Sequence, residues 1–437
     1  LSFMSQTLSF DQAGDWLAWL EQQHPSHEID MGLARIRQVS KRLLKDAPIA
    51  KQVITVAGTN GKGSSVAFLT SILEQAGLAY ASLTSPHFVR FNERIQFQGE
   101  PVDDVALCAS FERVNQARYD AVGRATVLTY FEFNALLAFD LMQRADLDVA
   151  VLEIGLGGRL DAVNLIDADI AIVTSIAVDH VDWLGDNVEL IGREKAGIYR
   201  ANKPAIVGAI DGPASVAQYA HEINALCLQN GIDFKVEGQK WSNPSGLTIE
   251  LPKTELPPMN MAAVVQAIQC LSFDIKSADI RLGLDRARLQ GRFQRLEWQG
   301  KQLILDVAHN PQAAQNLANS LATEACEGRT IAVLAMLADK DYQQVITVLR
   351  ASFNHWMLAS SEGVRSLSSL ELADQVASHG IDATCVTTHE TPLQAFNEAV
   401  AMASDKDRII VFGSFITVGA VLALIESSAD EPMKEAN

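Results

Sequence analysis

Short apolar runs rich in β-branched residues alternate with helical patterns along the chain, and this alternation restricts the possible fold more than any other feature. In the first half, the runs cover residues 52–57, 148–154 and 170–176, and helical patterns cover residues 64–76 and 130–144. The runs are mostly apolar rather than alternating with polar residues, so strands formed from them would be buried on both faces. The sequence therefore predicts an α/β fold built on a doubly wound, mostly parallel sheet.

A second series of strands and helices occupies the last third of the chain. Its strand candidates are residues 302–307, 330–334, 355–359 and 408–412. A chain of 437 residues is also too long for one hydrophobic core, which tends to stop growing near ~250–300 residues. We therefore expect two domains, a P-loop-containing domain over residues 1–297 and a smaller, Rossmann-like α/β domain over residues 298–437. Residues 289–295 would form the linker.

Composition limits the classes of function. The formal net charge of −18 argues against a nucleic-acid partner, because phosphate backbones require a basic surface. No apolar stretch approaches the ~18 residues of a membrane span, so we expect no membrane partner. The five cysteines are far apart and form no Cys-x-x-Cys pair, which favours reduced thiols in the cytoplasm. Small molecules are the expected ligands, and any anionic ligand would need the few basic residues to be concentrated at its site.

A glycine-rich turn joins the first apolar run to the first helical pattern. Residues 56–64 read Val-Ala-Gly-Thr-Asn-Gly-Lys-Gly-Ser. Glycines let backbone N–H groups approach phosphates, Lys62 would meet the outer phosphates, and Ser64 could reach magnesium. Val56 stands where the common P-loop has its first glycine, which favours a variant class over an ordinary kinase or GTPase. The alternative is a tight turn with a solvated lysine.

Chemically capable side chains also follow the next two apolar runs. Glu153 closes a buried strand, where a carboxylate is costly unless it meets a cation, so it is a candidate metal ligand. The loop after it resembles a dinucleotide fingerprint, but the third glycine would fall at Leu160. His180 follows the third run. Magnesium prefers oxygen ligands, so the case for His180 as a ligand rests on its place at the same sheet edge as Glu153 and the glycine-rich turn. From spacing alone, Lys195 is a surface or salt-bridged lysine.

In the second half, an acid and a histidine stand at a predicted strand end. Asp306 and His309 precede a helix opened by Pro311. Asp306 could accept ribose hydroxyls and His309 could approach phosphates. The two residues could equally be a helix cap and a core histidine.

Together these motifs carry a family likeness. They include Gly-Thr-Asn-Gly-Lys-Gly-Ser at 58–64, Thr-Ser-Pro-His at 84–87, Asn-Glu-Arg-Ile at 92–95, the Glu153 loop, Asp-His-Val-Asp-Trp-Leu-Gly at 179–185, Gly-Arg-Glu-Lys-Ala-Gly-Ile at 192–198, Gly-Arg-Phe-Gln at 291–294 and Asp-Val-Ala-His-Asn-Pro at 306–311. From about Trp16 to Val421 the chain resembles the bifunctional dihydrofolate synthase/folylpolyglutamate synthase family, relatives of the Mur ligases. Ile416 departs from the family, which usually has histidine or an aromatic residue there.

The resemblance implies roles for individual residues. ATP phosphates would be bound by Thr59, Asn60, Gly61 and Lys62, with Gly63 and Ser64 completing the turn. Adenine, phosphate and ribose would be recognised by Asn260, Arg292 and Asp306. Magnesium would be held by Ser85, Glu153 and His180, and a carbamate on Lys195 would bind a second magnesium ion. The pterin of the folate substrate would lie near Asp30, Met31, Gly32, Leu33, Thr129, Tyr130, Phe131, Glu132, Leu160, Asp161 and Ala162.

The implied chemistry is ATP-dependent amide ligation. The substrate carboxylate would become an acyl phosphate, which the amine of L-glutamate attacks, with Lys62, Lys195 and His309 as the catalytic residues. The acceptors would be dihydropteroate and tetrahydrofolate with its glutamates. A monofunctional folylpolyglutamate synthase shares nearly all these motifs, and a Mur-type peptidoglycan ligase would use the same chemistry. The resemblance favours a monomer.

Overall fold

The structure, a computed structural model, describes most of the chain as two compact units. The described residues are 9–25, 27–179, 181–254, 256, 258–361, 365–428 and, as backbone only, 434–435. The first unit comprises Leu1–Pro86 and Phe91–Ala287, and the second comprises His87–Arg90 and Arg288–Asn437. Within the described ranges, we find no helix with both the length and the apolar character needed to cross a bilayer.

The first unit alternates strands and helices. Its strands are β1 (Gln52–Ala57), β2 (Tyr80–Leu83), β3 (Ile95–Phe97), β4 (Glu100–Pro101), β5 (Val149–Glu153), β6 (Ile170–Val173), β7 (Pro204–Val207), β8 (Leu226–Gln229), β9 (Lys235–Glu237), β10 (Lys240–Ser242) and β11 (Thr248–Glu250). Its helices are α1 (Ala13–Gln23), α2 (Ala34–Leu44), α3 (Lys62–Gln75), α4 (Asp104–Ala117), α5 (Tyr130–Gln143), α6 (Val181–Leu184), α7 (Val188–Ala196), α8 (Ala214–Glu222), α9 (Met261–Cys270) and α10 (Ser277–Arg286).

The main sheet of this unit has the order β4-β3-β2-β5-β1-β6-β7-β8, and β9 to β11 form a separate antiparallel sheet. Strand β1 lies between β5 and β6 and is parallel to both, with Val56 opposite Glu153 on one side and Ile172 on the other. The carboxyl ends of these three strands therefore meet at one edge, where α/β sheets bind ligands. Strand β3 pairs antiparallel with both β2 and β4, and the other described pairs of this sheet are parallel.

Helices α3 and α10 pack at unusually close range because α10 has a glycine at their contact. A Cβ atom at Gly283 would lie 2.5 Å from the Ile72 Cα atom, which is backbone and cannot move aside. We expect Gly283→Ala to lower the free energy of unfolding by about 1–3 kcal/mol, as overpacking does, and to lower the thermal unfolding midpoint by several degrees.

A matched helical glycine provides the control for this substitution. Gly14, in helix α1, has no atom within 4 Å of the position that a Cβ atom would occupy. Gly14→Ala should leave the midpoint nearly unchanged. Equal midpoints for the two variants would contradict the packing argument.

The second unit has its own sheet. Its strands are β12 (Gln294–Trp298), β13 (Lys301–Asp306), β14 (Thr330–Leu334), β15 (His355–Ala359), β16 (Val386–His389), β17 (Arg408–Phe412) and β18 (Lys434–Glu435). Its helices are α11 (Pro311–Thr323), α12 (Tyr342–Leu349), α13 (Ser369–Ser378), α14 (Pro392–Met402) and α15 (Phe415–Ser427). The strand order is β16-β15-β14-β17-β13-β12-β18; β13 to β17 are parallel to one another, and β12 pairs antiparallel with both β13 and β18.

Both faces of this second sheet are covered. Along β14, Ile331 and Val333 belong to one apolar cluster, while Ala332 and Leu334 belong to another. Because side chains alternate between the faces of a strand, each face has its own core. This double burial is the reason that the strands read as continuous apolar runs in the sequence.

The predicted fold class is confirmed, since both units are α/β with mostly parallel sheets. The runs 52–57, 330–334, 355–359 and 408–412 are strands with the same limits. The structure divides the chain after Ala287, whereas the sequence suggested a division after Glu297, which lies inside strand β12. Because β12 pairs along its whole length with β13, it belongs to the second unit. The domain ranges drawn from sequence stay predictions.

Candidate active site

The turn after β1 forms the expected cradle. Two of its glycines adopt backbone angles that side chains rarely allow, with φ of +150° at Gly58 and +93° at Gly61. A Cβ atom on Gly58 would lie 1.8 Å from Thr174 Oγ1, so the loop also packs too closely for a side chain. Lys62 opens helix α3, and its Nζ donates to the carbonyls of Gly58 and Thr59 at 3.1 and 3.2 Å. The lysine is therefore held over the turn.

The end of β6 fixes the turn, a role that sequence reasoning missed. Thr174 Oγ1 and Ser175 Oγ donate to the Asn60 carbonyl at 2.8 and 3.0 Å. The Thr59 backbone N–H donates to the Ser175 carbonyl at 2.7 Å. Thr174 and Ser175 follow an apolar run as an ordinary strand ending would. Nothing in their spacing indicated that Ser175 would bond to Asn60, which lies 115 positions earlier.

Asn260 lies against the same turn. It is buried, its Nδ2 donates to Ser64 Oγ at 2.7 Å, and its side chain fills the space that a Cβ atom on Gly61 would need. Helix α9 begins immediately after it. The fold thus places Asn260 against the glycine-rich turn, 196 residues from Ser64 in the sequence. The role of Asn260 in adenine recognition stays a prediction.

Glu153 ends β5 beside the cradle. Its side chain is buried, and its Oε2 accepts a hydrogen bond from the Ser85 backbone N–H at 3.3 Å. The Ile154 N–H donates to the Val56 carbonyl at 2.9 Å, which joins the end of β5 to the end of β1. A buried carboxylate and a serine hydroxyl thus share one edge of the sheet, and oxygen ligands of this kind suit magnesium.

Lys195, which the family resemblance placed at this site and the spacing alone did not, contacts the same turn. It lies in the last turn of helix α7 and is buried, with 5% of its surface exposed, and its Nζ donates to the Gly58 carbonyl at 3.1 Å. Burial, reinforced by the nearby charge of Lys62, lowers the pKa of Lys195 to about 7. The sequence reading of a surface lysine is therefore wrong, and the amine is available in its neutral form near neutral pH.

His180, the remaining predicted metal ligand, lies outside the described residues. Within the part of the chain that the structure describes, no three His, Cys, Asp or Glu side chains form a ready-made metal cluster. Glu153 and Ser85 are the predicted metal ligands that the structure places together.

The loops predicted to bind pterin lie in the first unit, and several of their side chains have structural partners. Thr129 and Glu132 form a capping box that starts helix α5. Glu132 is buried, and Arg35 Nε donates to both of its oxygens at 2.9 and 2.7 Å. Arg35 also pairs with Asp30. The Thr-x-x-Glu spacing could have indicated the cap, but no local pattern indicated Arg35.

Asp161 and Phe131 frame the loop that follows Glu153. Asp161 is buried, and its two oxygens accept backbone hydrogen bonds from Leu156 at 2.9 Å and Val163 at 2.8 Å. Burial raises the pKa of Asp161 to about 6 in spite of these bonds. The ring of Phe131 lies against Gly155, where a Cβ atom would come within 2.4 Å of it. Ring and carboxylate are thus held beside one loop, and their binding of pterin stays a prediction.

A cavity of about 420 Å³ opens beside two further predicted pterin residues, Met31 and Leu160. The rest of its lining consists of Arg159, Trp183, Leu184, Leu190, Arg193, Glu194 and Tyr219. Its volume is within the range of small-molecule sites, about 300–1,000 Å³. Gly32, Leu33, Tyr130 and Ala162 do not line it, and neither do the other five predicted pterin residues.

In the second unit, Asp306 ends β13 near Arg292, another of the predicted ATP residues. Its oxygens accept backbone hydrogen bonds from Phe293 at 2.9 Å and Ala308 at 2.8 Å, and burial raises its pKa. The Arg292 guanidinium lies 5.6 Å from the centre of the Phe415 ring. His309 Nδ1 is 2.9 Å from the Val307 carbonyl. A carbonyl only accepts, so Nδ1 carries the proton and Nε2 is the nitrogen that can accept one in the neutral ring.

Two family models match the chain. The Mur ligase middle domain matches residues 56–243, and the glutamate ligase domain of Mur ligases matches residues 291–415. The dihydrofolate synthase/folylpolyglutamate synthase of Escherichia coli strain K12 is 41% identical over 418 residues, covering 94% of this chain and 95% of that protein. Its counterpart in Haemophilus influenzae is 36% identical, covering 94% and 97%.

Solved structures give the same result. Escherichia coli FolC in complex with DHPP and ADP superposes with a TM-score of 0.88 at 39% identity, covering 98% of this chain and all of that one. A bifunctional folylpolyglutamate synthase/dihydrofolate synthase with Mn, AMPPNP and L-glutamate bound has a TM-score of 0.87 at 38% identity, covering 96% of this chain and all of that one.

Proposed function

Because the chain belongs to the dihydrofolate synthase/folylpolyglutamate synthase family of Mur ligases, we propose that it joins L-glutamate to dihydropteroate and to tetrahydrofolate and its glutamates. The reaction consumes ATP and proceeds through an acyl phosphate. The relatives solved with ADP, AMPPNP, DHPP and L-glutamate support the same substrates for this chain.

One observation carries the proposal, namely the contact between Lys195 and the phosphate turn. A buried amine reaches the carbonyl of Gly58, beside the buried carboxylate of Glu153 on the adjacent strand. An ordinary kinase or GTPase has no need of a second buried lysine there. A ligase does, if that lysine becomes a carbamate and supplies oxygen to a metal ion.

Activation of the acceptor carboxylate depends on charge. The backbone N–H groups of the turn and the Lys62 ammonium would hold the ATP phosphates and offset negative charge as the carboxylate attacks the γ-phosphate. Lys62 already lies over the turn, so it needs little rearrangement to meet them. Arg292 and Asp306 would bind phosphate and ribose, as the family resemblance implies.

The residues at this edge fit divalent metal ions. A buried carboxylate, as at Glu153, is stabilised by a cation, and the Ser85 hydroxyl is a further oxygen donor. Two magnesium ions would supply charge neutralisation when bound, held by Ser85, Glu153, His180 and a carbamylated Lys195. Carbamate formation requires a neutral amine, and a pKa of about 7 leaves much of Lys195 neutral at pH 7 and above.

The second step is attack by the glutamate amine on the acyl phosphate. The amine must lose a proton as the amide forms and phosphate departs. His309 is suited to accept it at Nε2, because Nδ1 already donates to the Val307 carbonyl.

Cytoplasmic location follows as a proposal from the five free thiols. We expect a monomer.

The test is phosphate release from ATP by the purified protein with magnesium and L-glutamate. Dihydropteroate and tetrahydrofolate are compared as acceptors, and reactions without L-glutamate serve as controls. Turnover of both acceptors, dependent on L-glutamate, is the expected result. Turnover of tetrahydrofolate alone would restrict the protein to folylpolyglutamate synthesis, and phosphate release without L-glutamate would contradict ligation.

A further inference from the structure

The cavity beside Met31 and Leu160 has a composition suited to an aromatic carboxylate. Its apolar lining includes Trp183 and Leu190, whose side chains remain 48% and 63% exposed. Large apolar side chains exposed around a concave surface commonly mark a ligand site. Tyr219 adds a second aromatic ring to the lining.

Two arginines line the same cavity. The Arg193 guanidinium lies 5.2 Å from the centre of the Tyr219 ring and pairs with Glu222 at 2.6 Å. Both members of this pair are about half exposed, so the pairing is weak and an anionic ligand can replace it. Two cations in one cavity are notable in a chain with 53 acidic and 35 basic residues.

Arg159 is the second cation. Its Nε donates to Glu194 Oε2 at 3.0 Å, and its side chain is 56% exposed. Glu194 Oε1 is buried and has no hydrogen-bond partner among the described residues. The cavity thus offers two guanidinium groups as donors for carboxylates.

Helix α7 connects this cavity with the phosphate turn. Arg193 and Glu194 face the cavity, while Lys195 reaches the Gly58 carbonyl. Consecutive residues rise about 1.5 Å along a helix, so the two places are neighbours. Arg159, from the loop after Glu153, contacts the same helix through its backbone N–H, which donates to the Glu194 carbonyl at 3.0 Å.

The two acceptors of the proposed function differ in a way that such a cavity can detect. In dihydropteroate, the reacting carboxylate is on the aminobenzoyl ring and is consumed. In tetrahydrofolate, the reacting carboxylate is on a glutamyl side chain, and a second carboxylate remains charged. Since the phosphate turn is fixed, the longer acceptor must place its ring farther from the turn and keep its unreacted carboxylate in a polar environment.

We propose that this cavity binds the aminobenzoyl-glutamate part of tetrahydrofolate acceptors, with the ring against its apolar lining and the unreacted carboxylate paired with Arg193 and Arg159. The two arginines are specificity-determining residues for chain extension and are not needed for dihydropteroate. This inference rests on the proposed function and deepens it.

The test compares both acceptors in one variant. Arg193→Gln should raise KM for tetrahydrofolate about five- to tenfold, the size expected for losing a half-exposed ion pair with a ligand. KM for dihydropteroate and kcat for both acceptors should change by less than about twofold, because the ATP site is untouched. Arg193→Lys keeps the charge without the planar fork and should be intermediate. Arg159→Gln should act in the same direction.

Arg281→Gln is the matched control, since Arg281 is an exposed arginine of helix α10 in the same unit and does not line the cavity. It should change neither KM. Higher salt should raise KM for tetrahydrofolate in the wild type more than in Arg193→Gln. Equal effects of Arg193→Gln on both acceptors, or none, would overturn the inference. The wild-type turnover of the two acceptors tests the proposed function separately, before any variant is compared.

Discussion

Replacing Lys62 with methionine is expected to lower kcat/KM about a thousandfold with either acceptor, the scale on which removal of a charge-stabilising donor acts. The methionine keeps most of the apolar stem but removes the cation that lies over Gly58 and Thr59. Loss of this charge should affect the transition state of phosphoryl transfer more than nucleotide binding. Phosphate release measures the first effect, and calorimetric titration with ADP measures the second.

The matched control for Lys62→Met is Lys240→Met. Lys240 is an exposed lysine of strand β10, in the small antiparallel sheet of the same unit. This variant should retain wild-type turnover. If Lys62→Met kept more than about a tenth of wild-type activity, the turn would not serve phosphoryl transfer, because a positioned charge is worth far more than that.

Replacing Lys195 with alanine or arginine is expected to lower turnover by about a hundredfold or more, because neither side chain can form a carbamate. Arginine preserves the positive charge, so low turnover of Lys195→Arg would show that the positive charge alone is not what the site needs. That result would favour a role for Lys195 as an oxygen ligand. High concentrations of formate or acetate should restore part of the activity of Lys195→Ala by supplying a carboxylate to the vacated space. Full activity of Lys195→Arg would refute the carbamate.

The carbamate can also be observed directly and should depend on pH. Carbon-13 NMR with labelled bicarbonate should give a carbamate signal in the wild-type protein that is absent from Lys195→Ala. The pKa of Lys195 is lowered to about 7, so its neutral amine predominates above that pH and is lost as the pH falls below it. The signal, and turnover with it, should therefore decrease as the pH falls through about 7.

In Lys62→Met the nearby positive charge is absent, which should raise the pKa of Lys195 and shift the decrease of the carbamate signal to higher pH.

Local patterns were sufficient to predict several strands and helices and the glycine-rich turn after β1. The run 52–57 is mostly apolar, and the glycines after it permit angles that few other residues adopt, so strand and turn were both predicted at the right residues. Asp306 ends β13 and His309 follows it for the same reason, because a polar residue at the end of an apolar run marks the end of a strand.

Long-range contacts were beyond such patterns. Arg35 meets Glu132 across 97 residues, and Thr174 meets Asn60 across 114. The sequence around Arg35 is that of an ordinary amphipathic helix, and nothing in its spacing distinguishes a guanidinium with a buried partner from one in solvent. The cavity that contains Met31 and Arg193 likewise combines segments that are far apart in the chain.

The sequence by itself determined the alternation of strands and helices, the α/β class, the glycine-rich turn and the family. These depend on residues only a few positions apart, whose backbone preferences and apolar spacing act locally. Only the tertiary structure decided that Lys195 is buried against Gly58, 137 residues away, with its pKa lowered. Desolvation and charge depend on what surrounds a group in space, and for Lys195 those surroundings exist only once the parallel strands have brought distant loops to one edge of the sheet.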